Sequence, residues 1–419
     1  MHIESILRRL QPQPGFVYGR AEWEERGGRS TLLIHVTARK GARAVCSRCG
    51  QKRPGYDVQK EPRRFTFVPL WAIAVLFVYA MRRVNCSRCG VVVEAVPWAS
   101  GKSQSTHAYI WFIASWARSL SWSGVARRFD ASWDTVFRCI EHAVKWGLEH
   151  RSLDGIESLG VDELSWKHGQ KYLTLVYQID HGHRRLLHIA KDRTTASFES
   201  FFDMLGEKRT RLIRFVASDM WRAFINVVRK RCSDATHVLD RFHVAQLLSK
   251  AVDQVRRDEV RRLRADGRAP LLTKTRWILL KHSRNLRRKE RGRLSELMKA
   301  NLRTVRAYVM KEDFQHLWTY TTSAGAGRFL KRWTTMALRS RIPQFRTLAT
   351  TLRRHQSELL NWFLARGSFA AGATEGFNNK ARITTRMAYG FRTYLHAEIA
   401  LYHRLGSLPE PDWLTHRFC

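Results

Sequence analysis

Residues 156–191 read IESLGVDELSWKHGQKYLTLVYQIDHGHRRLLHIAK. Three apolar runs stand in this stretch, SLGVDEL, KYLTLVYQID and RLLHIAKD, each rich in β-branched or aromatic residues and separated by polar and glycine-containing breaks. That pattern predicts three strands. Further along, Thr195–Leu205 reads as a helix, Ile213–Asp219 (IRFVASD) as a strand, the residues from about Trp221 as a helix, and Ala235–Asp240 (ATHVLD) as another strand. A β, β, β, α, β, α, β order predicts a mixed α/β sheet.

The chain around this sheet is long and very basic. Its 419 residues predict about three domains. With 44% apolar and 26% charged residues the composition is that of a globular chain, which excludes wholesale disorder. The 74 Lys and Arg against 36 Asp and Glu give a net charge of +38. Such an excess repels itself in a compact state, and a polyanion relieves it. Nucleic acid is the leading partner class, because neutralised phosphates release counterions. The densest block is residues 254–306, with 18 Lys and Arg against 5 Asp and Glu in a helix-like stretch that runs from Val244 to about Leu364. A solvated helix face is the plain alternative there; the imbalance favours a phosphate-facing surface.

Seven cysteines in a chain of this length argue against a secreted disulfide scaffold. The N-terminus has no apolar run of the signal-peptide kind. Phe65–Met81 (FTFVPLWAIAVLFVYAM) is apolar, but its 17 residues include Pro69 and fall short of a bilayer span. A buried strand pair explains it better, so a soluble, cytoplasmic and nucleoid-associated bacterial protein is expected.

Residues 1–100 are strand-like and carry the same five residues twice: Cys46-Ser-Arg-Cys49-Gly and Cys86-Ser-Arg-Cys89-Gly, with 36 residues between Cys49 and Cys86. In each knuckle the glycine permits the left-handed turn that aims two thiolates at one point. Two knuckles make an S₄ set, which zinc favours. Redox-active pairs or buried free thiols are the alternatives. The paired knuckles read as a zinc ribbon with the apolar 65–81 stretch inside its hairpin, and Arg48 and Arg88 on the knuckles as DNA contacts. Cys139, Cys232 and Cys419 are isolated and are expected to be inert.

From Ser105 to Arg151 the pattern turns helical, with Ile110, Ile113, Trp116 and Ala117 at spacings of three and four. Within it, Ser123–Phe129 reads as a short helix, Asp130-Ala131 as a turn, and Ser132 as the cap of a second helix to about Trp146. Val125, Ala126, Val136 and Ile140 would pack the two together. This is helix-turn-helix grammar, in which Trp133, Asp134, Thr135 and Arg138 face a DNA groove; a plain helical hairpin has the same pattern.

Three acids stand where a carboxylate needs a reason. Asp162 lies inside an apolar strand, Asp219 ends one, and Glu375 follows the Gly-rich break Arg366–Gly376 at the start of a last helix to about Tyr402. Strand ends of α/β sheets are where sites are built. Three carboxylates from separate elements suit a pair of Mg²⁺ ions and phosphoryl transfer. A helix cap, a turn residue or a surface charge remains the alternative for each alone. Glu163 is expected on the opposite sheet face from Asp162, and Asp180 and Asp192 are expected to serve turns.

In combination and in this order, these motifs resemble the bacterial insertion-sequence DDE transposases of the ISL-three family over nearly the whole chain. Gly160–Glu163 (GVDE), Ser218–Phe224 (SDMWRAF) and Thr374–Arg382 (TEGFNNKAR) match the three catalytic segments, which carries the catalytic roles to Asp162, Asp219 and Glu375. Ala388–Arg392 (AYGFR) and Asp240–Val244 (DRFHV) are further matches. In the latter, Asp240 and His243 form a D-x-x-H arrangement, for which an auxiliary role is expected.

The resemblance implies a multidomain α+β protein: a zinc ribbon over residues 1–100, a helix-turn-helix over 101–153, and a ribonuclease-H-like core over 154–250 and 366–405. A basic helical insertion would occupy 251–365, and a tail 406–419. It implies Mg²⁺ (or Mn²⁺) at the carboxylates and Zn²⁺ in the ribbon. The activity implied is cleavage of DNA at terminal inverted repeats followed by transfer of the freed 3′-hydroxyl to target DNA, by a homodimer or larger assembly. Two rivals remain: a non-catalytic zinc-ribbon/helix-turn-helix regulator, which leaves the ordered carboxylates without a purpose, and a nuclease that cuts without joining.

Overall fold

The computed structural model describes residues 2–26, 28–167, 169, 171–267, 271–300, 302–365 and 373–415. Most of the Gly-rich break (366–372) and Cys419 lie outside the described residues. The chain divides into two compact units, one made of residues 1–151 with 402–404 and 408–419, the other of 152–401 with 405–407.

The first unit opens with a short helix, Ile3–Leu10, that the strand-like reading of this region did not anticipate. A four-stranded sheet follows, in the spatial order Phe16–Arg26, Arg29–Ala38, Ile73–Tyr79, Arg63–Leu70. Its core is aromatic: Trp98 stands edge-on to Phe16, Phe65, Phe77 and Tyr79, with ring centroids 4.9 to 6.4 Å apart. The apolar 65–81 stretch is therefore a buried strand pair, but it is not part of the cysteine hairpin. It pairs with the N-terminal strands, because Phe65, Val75 and Phe77 need the whole four-stranded face to leave water. The knuckles sit on separate small sheets, Ala44–Val45 with Lys52–Arg53, and Gly55–Val58 with Arg82–Cys86 and Gly90–Val93. Buried Glu94 ties the two parts together. It accepts from Tyr79 Oη at 2.6 Å and from the Arg82 guanidinium at 2.7 and 2.9 Å.

Three helices complete the unit: His107–Ala117, Trp122–Arg128 and Trp133–His150. Each has a hydroxyl cap. Thr106, Ser121 and Ser132 accept from the backbone N–H three residues on, at 3.0 to 3.2 Å. Val125, Val136 and Ile140 are fully buried between them.

The second unit is built on a five-stranded sheet. Its strands are β1 (Ser158–Lys167), β2 (Lys171–Ile179), β3 (Arg184–Lys191), β4 (Phe215–Ser218) and β5 (Thr236–Leu239), in the spatial order β3-β2-β1-β4-β5. β1 to β3 form an antiparallel meander; β4 and β5 run parallel to β1. Helices α1 (Thr195–Leu205) and α2 (Arg222–Arg231) connect the later strands. They bury Phe198, Phe201, Phe202, Phe224 and Val227 against Leu159, Val161 and Val176 of the sheet.

After β5 the chain is helical: α3 (Arg241–Ala265), then Arg276–Leu280, Arg288–Met298, Arg303–Phe314, Ser323–Arg339, Pro343–Arg354 and Gln356–Leu364. Few acids interrupt this basic stretch, and the structure uses them internally. Asp253 is buried between Arg256 and Arg257, at 2.8 Å from each. Glu259 is buried and accepts the backbone N–H groups of Arg303 and Thr304. Arg261, Arg262, Arg276 and Arg293 also pair with acids of this stretch.

The last helix of the sequence reading is two helices, α4 (Ala373–Met387) and α5 (Tyr394–Leu405). The chain breaks between them at Tyr389 and Gly390, whose φ angles are 52° and 93°. Only glycine adopts that region freely, so Gly390 ends α4.

Candidate active site and metal centre

Register brings three aspartates to one level of the sheet. Gly160 of β1 lies opposite Ala217 of β4, and Ala217 opposite Val238 of β5. Two residues on, the same register sets Asp162, Asp219 and Asp240 side by side. Strands lie about 4.8 Å apart and side chains at one level share a face, so the three acids face the same side of the sheet. Asp219 and Asp240 each turn an oxygen to the following backbone, accepting from Trp221 N at 2.9 Å and Phe242 N at 2.8 Å. Asp162 accepts from Glu163 N at 2.6 Å.

His243 stands among them. Its Nε2 is 3.9 Å from Asp162 Oδ1 and its Nδ1 3.6 Å from Asp240 Oδ2, ion-pair rather than hydrogen-bond distances. Burial would lower the His243 pKa, but Asp240, Asp162 and Asp219 outweigh it and raise it to about 9. Burial raises Asp162 to about 6, with Asp219 and Asp240 adding to the rise and His243 opposing it. Burial likewise raises Asp219. His243 faces all three aspartates, and Arg193 also acts on Asp219.

Helix α4 packs on β1 and brings the third sequence motif. The approach is close because Gly160 has no side chain: a Cβ there would lie 2.5 Å from Thr374 Oγ1. Phe377 stacks on Tyr177 with centroids 4.8 Å apart. Buried Asn378 accepts from Tyr177 Oη at 3.1 Å and donates to the carboxylate of Asp162. Glu375 is half-buried one turn earlier on the same helix. Asp162, Asp219 and Glu375 are not drawn into one tight cluster. Among the described residues the only group of three or more such side chains with ligand atoms within 4.8 Å of one another is the cysteine quartet.

Glu163 points away from Asp162, as strand alternation requires, and pairs with Arg193 at 3.2 Å. The Arg193 guanidinium lies over Tyr172 and Trp221, 4.3 and 4.7 Å from the ring centroids. Asn378, Tyr177 and Arg193 were not singled out in the sequence. Only Asn378 had a signal, its place one helical turn after Glu375.

In the first unit Cys46, Cys49, Cys86 and Cys89 converge, with no disulfide among them. Gly50 and Gly90 have φ of 71° and 75°, the left-handed turn a knuckle needs. Cys49 and Cys86 Sγ are 3.7 Å apart. The edge of a tetrahedron with Zn–S of about 2.3 Å is about 3.8 Å, so the quartet fits zinc. Arg48 and Arg88 are exposed on the knuckles. Of the residues assigned to a DNA groove, Trp133 is partly exposed and stacks on Phe137. Thr135 bonds to the cap hydroxyl of Ser132, and exposed Arg138 pairs with Asp134 at 2.9 Å.

Aspartates at one level of three neighbouring strands, with an acid-bearing helix packed beside them, suit an enzyme of nucleic-acid chemistry. Residues 159–399 match the family of ISL3-type DDE transposases, and the chain belongs to that family. It is 30% identical over 397 residues to the transposase for insertion sequence element IS1557 of Mycobacterium tuberculosis, covering 89% of this chain and 88% of the relative. It is 29% identical over 393 residues to the transposase for insertion sequence element IS1001 of Bordetella parapertussis, covering 93% of this chain and 95% of that one. No helix among the described residues is long and apolar enough to cross a membrane.

Proposed function

We propose that this chain binds the terminal inverted repeats of an insertion sequence, cuts DNA there and joins the freed end to a target. Asp162, Asp219 and Glu375 would be the metal-holding carboxylates, Asp240 and His243 their auxiliary pair. The observation that carries this reading is the common level of Asp162, Asp219 and Asp240 on β1, β4 and β5. The strand order β3-β2-β1-β4-β5, with an antiparallel meander and two parallel strands, supports a ribonuclease-H-like core. The helices after α3 would be its insertion.

The donor set fits magnesium or manganese, since hard oxygen ligands suit both. When bound, a divalent pair activates the attacking hydroxyl and neutralises the leaving 3′ oxygen. The chain's own part is positioning. Asn378 fixes one face of Asp162 through Tyr177, and the backbone N–H of Trp221 holds Asp219. His243 would counter the charge of the acids and, with metal held there, orient Asp240.

Zinc at Cys46, Cys49, Cys86 and Cys89 would shape a ribbon that presents Arg48 and Arg88. The helices Trp122–Arg128 and Trp133–His150 would act as a helix-turn-helix, with Trp133, Thr135 and Arg138 at the groove. Two element ends must meet, so a homodimer or larger assembly on DNA is expected.

The test is supercoiled plasmid carrying the element ends, incubated with protein and Mg²⁺. Nicking and joining at the ends, both abolished by Asp162→Ala, are expected. Binding without any Asp162-dependent cleavage would leave the regulator reading, and cleavage that never leads to joining the nuclease reading.

A further inference from the structure

A groove of about 1120 Å³ opens between the C-terminal half of β1, which follows Asp162, and the turn that ends α4. Trp166, Lys167, Arg382, Arg386, Tyr389 and Arg392 line it. The sequence motif Ala388–Arg392 forms this turn, and the cleavage reading gives it no task.

Three observations define what the groove receives. First, it is cationic. Lys167, Arg386 and Arg392 are exposed and have no ion-pair partner among the described residues. Second, its cations are aligned with Glu375. At 100° per residue, positions 375, 382 and 386 of α4 fall within about 20° of one line. Glu375, Arg382 and Arg386 thus form one row about 16 Å long. Third, its rim carries an aromatic ring without a protein partner. Tyr389 is 101% exposed, on a backbone at φ 52°, while Phe391 two residues on is buried and anchors the turn. An unpaired base offers a free π-face to such a ring; a base inside a duplex is already stacked on both sides.

We propose that this groove holds the DNA strand flanking the scissile phosphate, with Arg382, Arg386 and Arg392 on its phosphates and Tyr389 stacked on an unpaired base. The inference rests on the reading of Asp162, Asp219 and Glu375 as the cleavage site, because the row begins at Glu375. It gives the 388–392 turn a substrate, a single-stranded segment at the element end, and makes Tyr389 a residue that selects unstacked over paired DNA. Lys167 and Trp166 form the opposite wall.

The probe is a forked duplex with 2-aminopurine in its single-stranded arm, bound by the full zinc-loaded chain without added magnesium. Quenching of the 2-aminopurine is expected with wild type and with Tyr389→Phe, which keeps the ring. Tyr389→Ala should lose the quenching and bind the fork about tenfold more weakly, with duplex binding unchanged. The double variant R382Q/R386Q should bind at least tenfold more weakly, with a salt slope shallower by about 1.4, two single-strand phosphate contacts. All three side chains are exposed, so melting temperatures should match wild type. Equal affinity, slope and quenching in all variants would overturn the proposal. Loss of binding in R382Q/R386Q with quenching kept in Tyr389→Ala would overturn its stacking half. Plasmid nicking separates this from the cleavage reading. Asp162-dependent nicking with groove variants that bind the fork like wild type sinks the groove alone. Variants that lose fork binding, in a chain that never nicks, sink the cleavage reading and leave a DNA-binding groove.

Discussion

The two candidate metal centres are built on opposite principles. In the first unit four thiols already converge, each pair on its own turn, and 3.7 Å separates Cys49 from Cys86 Sγ. In the second unit the acids share a level of the sheet and one helix, yet stay apart, with a histidine among them. Thiols can gather uncharged and ionise as the metal arrives. Carboxylates gathered at neutral pH repel, and burial has already pushed Asp162 up to about 6. A closed site that serves the fold can be complete in advance; an open site that serves chemistry waits for cations and a phosphate.

Ways to break this comparison follow from the largest effect to the smallest. Removing zinc by chelation, or Cys46→Ser, should unfold the knuckle sheets, since structural zinc supplies on the order of 10 kcal/mol of local folding energy. Loss of one zinc per chain by mass spectrometry, with loss of inverted-repeat binding, is the expected result. Unchanged binding would mean the quartet is dispensable. Asp162→Asn keeps the shape and removes the charge. It should cut plasmid nicking by at least about a thousandfold, about 4 kcal/mol of barrier, and leave the fold intact.

Glu94→Ala sharpens the contrast inside the first unit. Glu94 is buried against Arg82 and Tyr79, and breaking such a pair leaves an uncompensated charge at a cost of about 3 kcal/mol or more. A lower melting temperature even in saturating zinc is expected. His237 tests the second unit. It is buried, bonded to Ser218 Oγ at 2.8 Å, and burial lowers its pKa to about 4. The unfolded chain takes up this proton near pH 6.5 and the folded chain only near 4. Its stabilising contribution is therefore complete above 6.5 and lost as pH falls through 4, by up to about 3 kcal/mol. His237→Gln should flatten the melting temperature between pH 6.5 and 4 relative to wild type.

Much of this was legible in the sequence. The strands 158–191 announced themselves because buried β-branched runs have few other uses, and the repeated knuckle foretold the cysteine cluster because two identical turns rarely recur by accident. The resemblance to a family supplied the order of the carboxylates. Other features were not legible. The sheet partner of the 65–81 pair depends on contacts with residues 16–38, which no local pattern reveals. Asn378 looked like any polar helix residue until Asp162 and Tyr177 were found on either side of it. The break at Tyr389 was hidden by aromatic residues that suit a helix, with Gly390 its one mark.

The close seat of α4 on β1 also sets an order of events in the cell. Asn378 meets Asp162 across 216 residues of chain. Residues 1–151 emerge from the ribosome first, but their unit is completed only when residues 402–404 and 408–419 follow. The helix bearing Glu375 arrives late, after the whole helical stretch that precedes it. A chain ended before α4 would therefore leave Asp162 without Asn378 and both units unfinished.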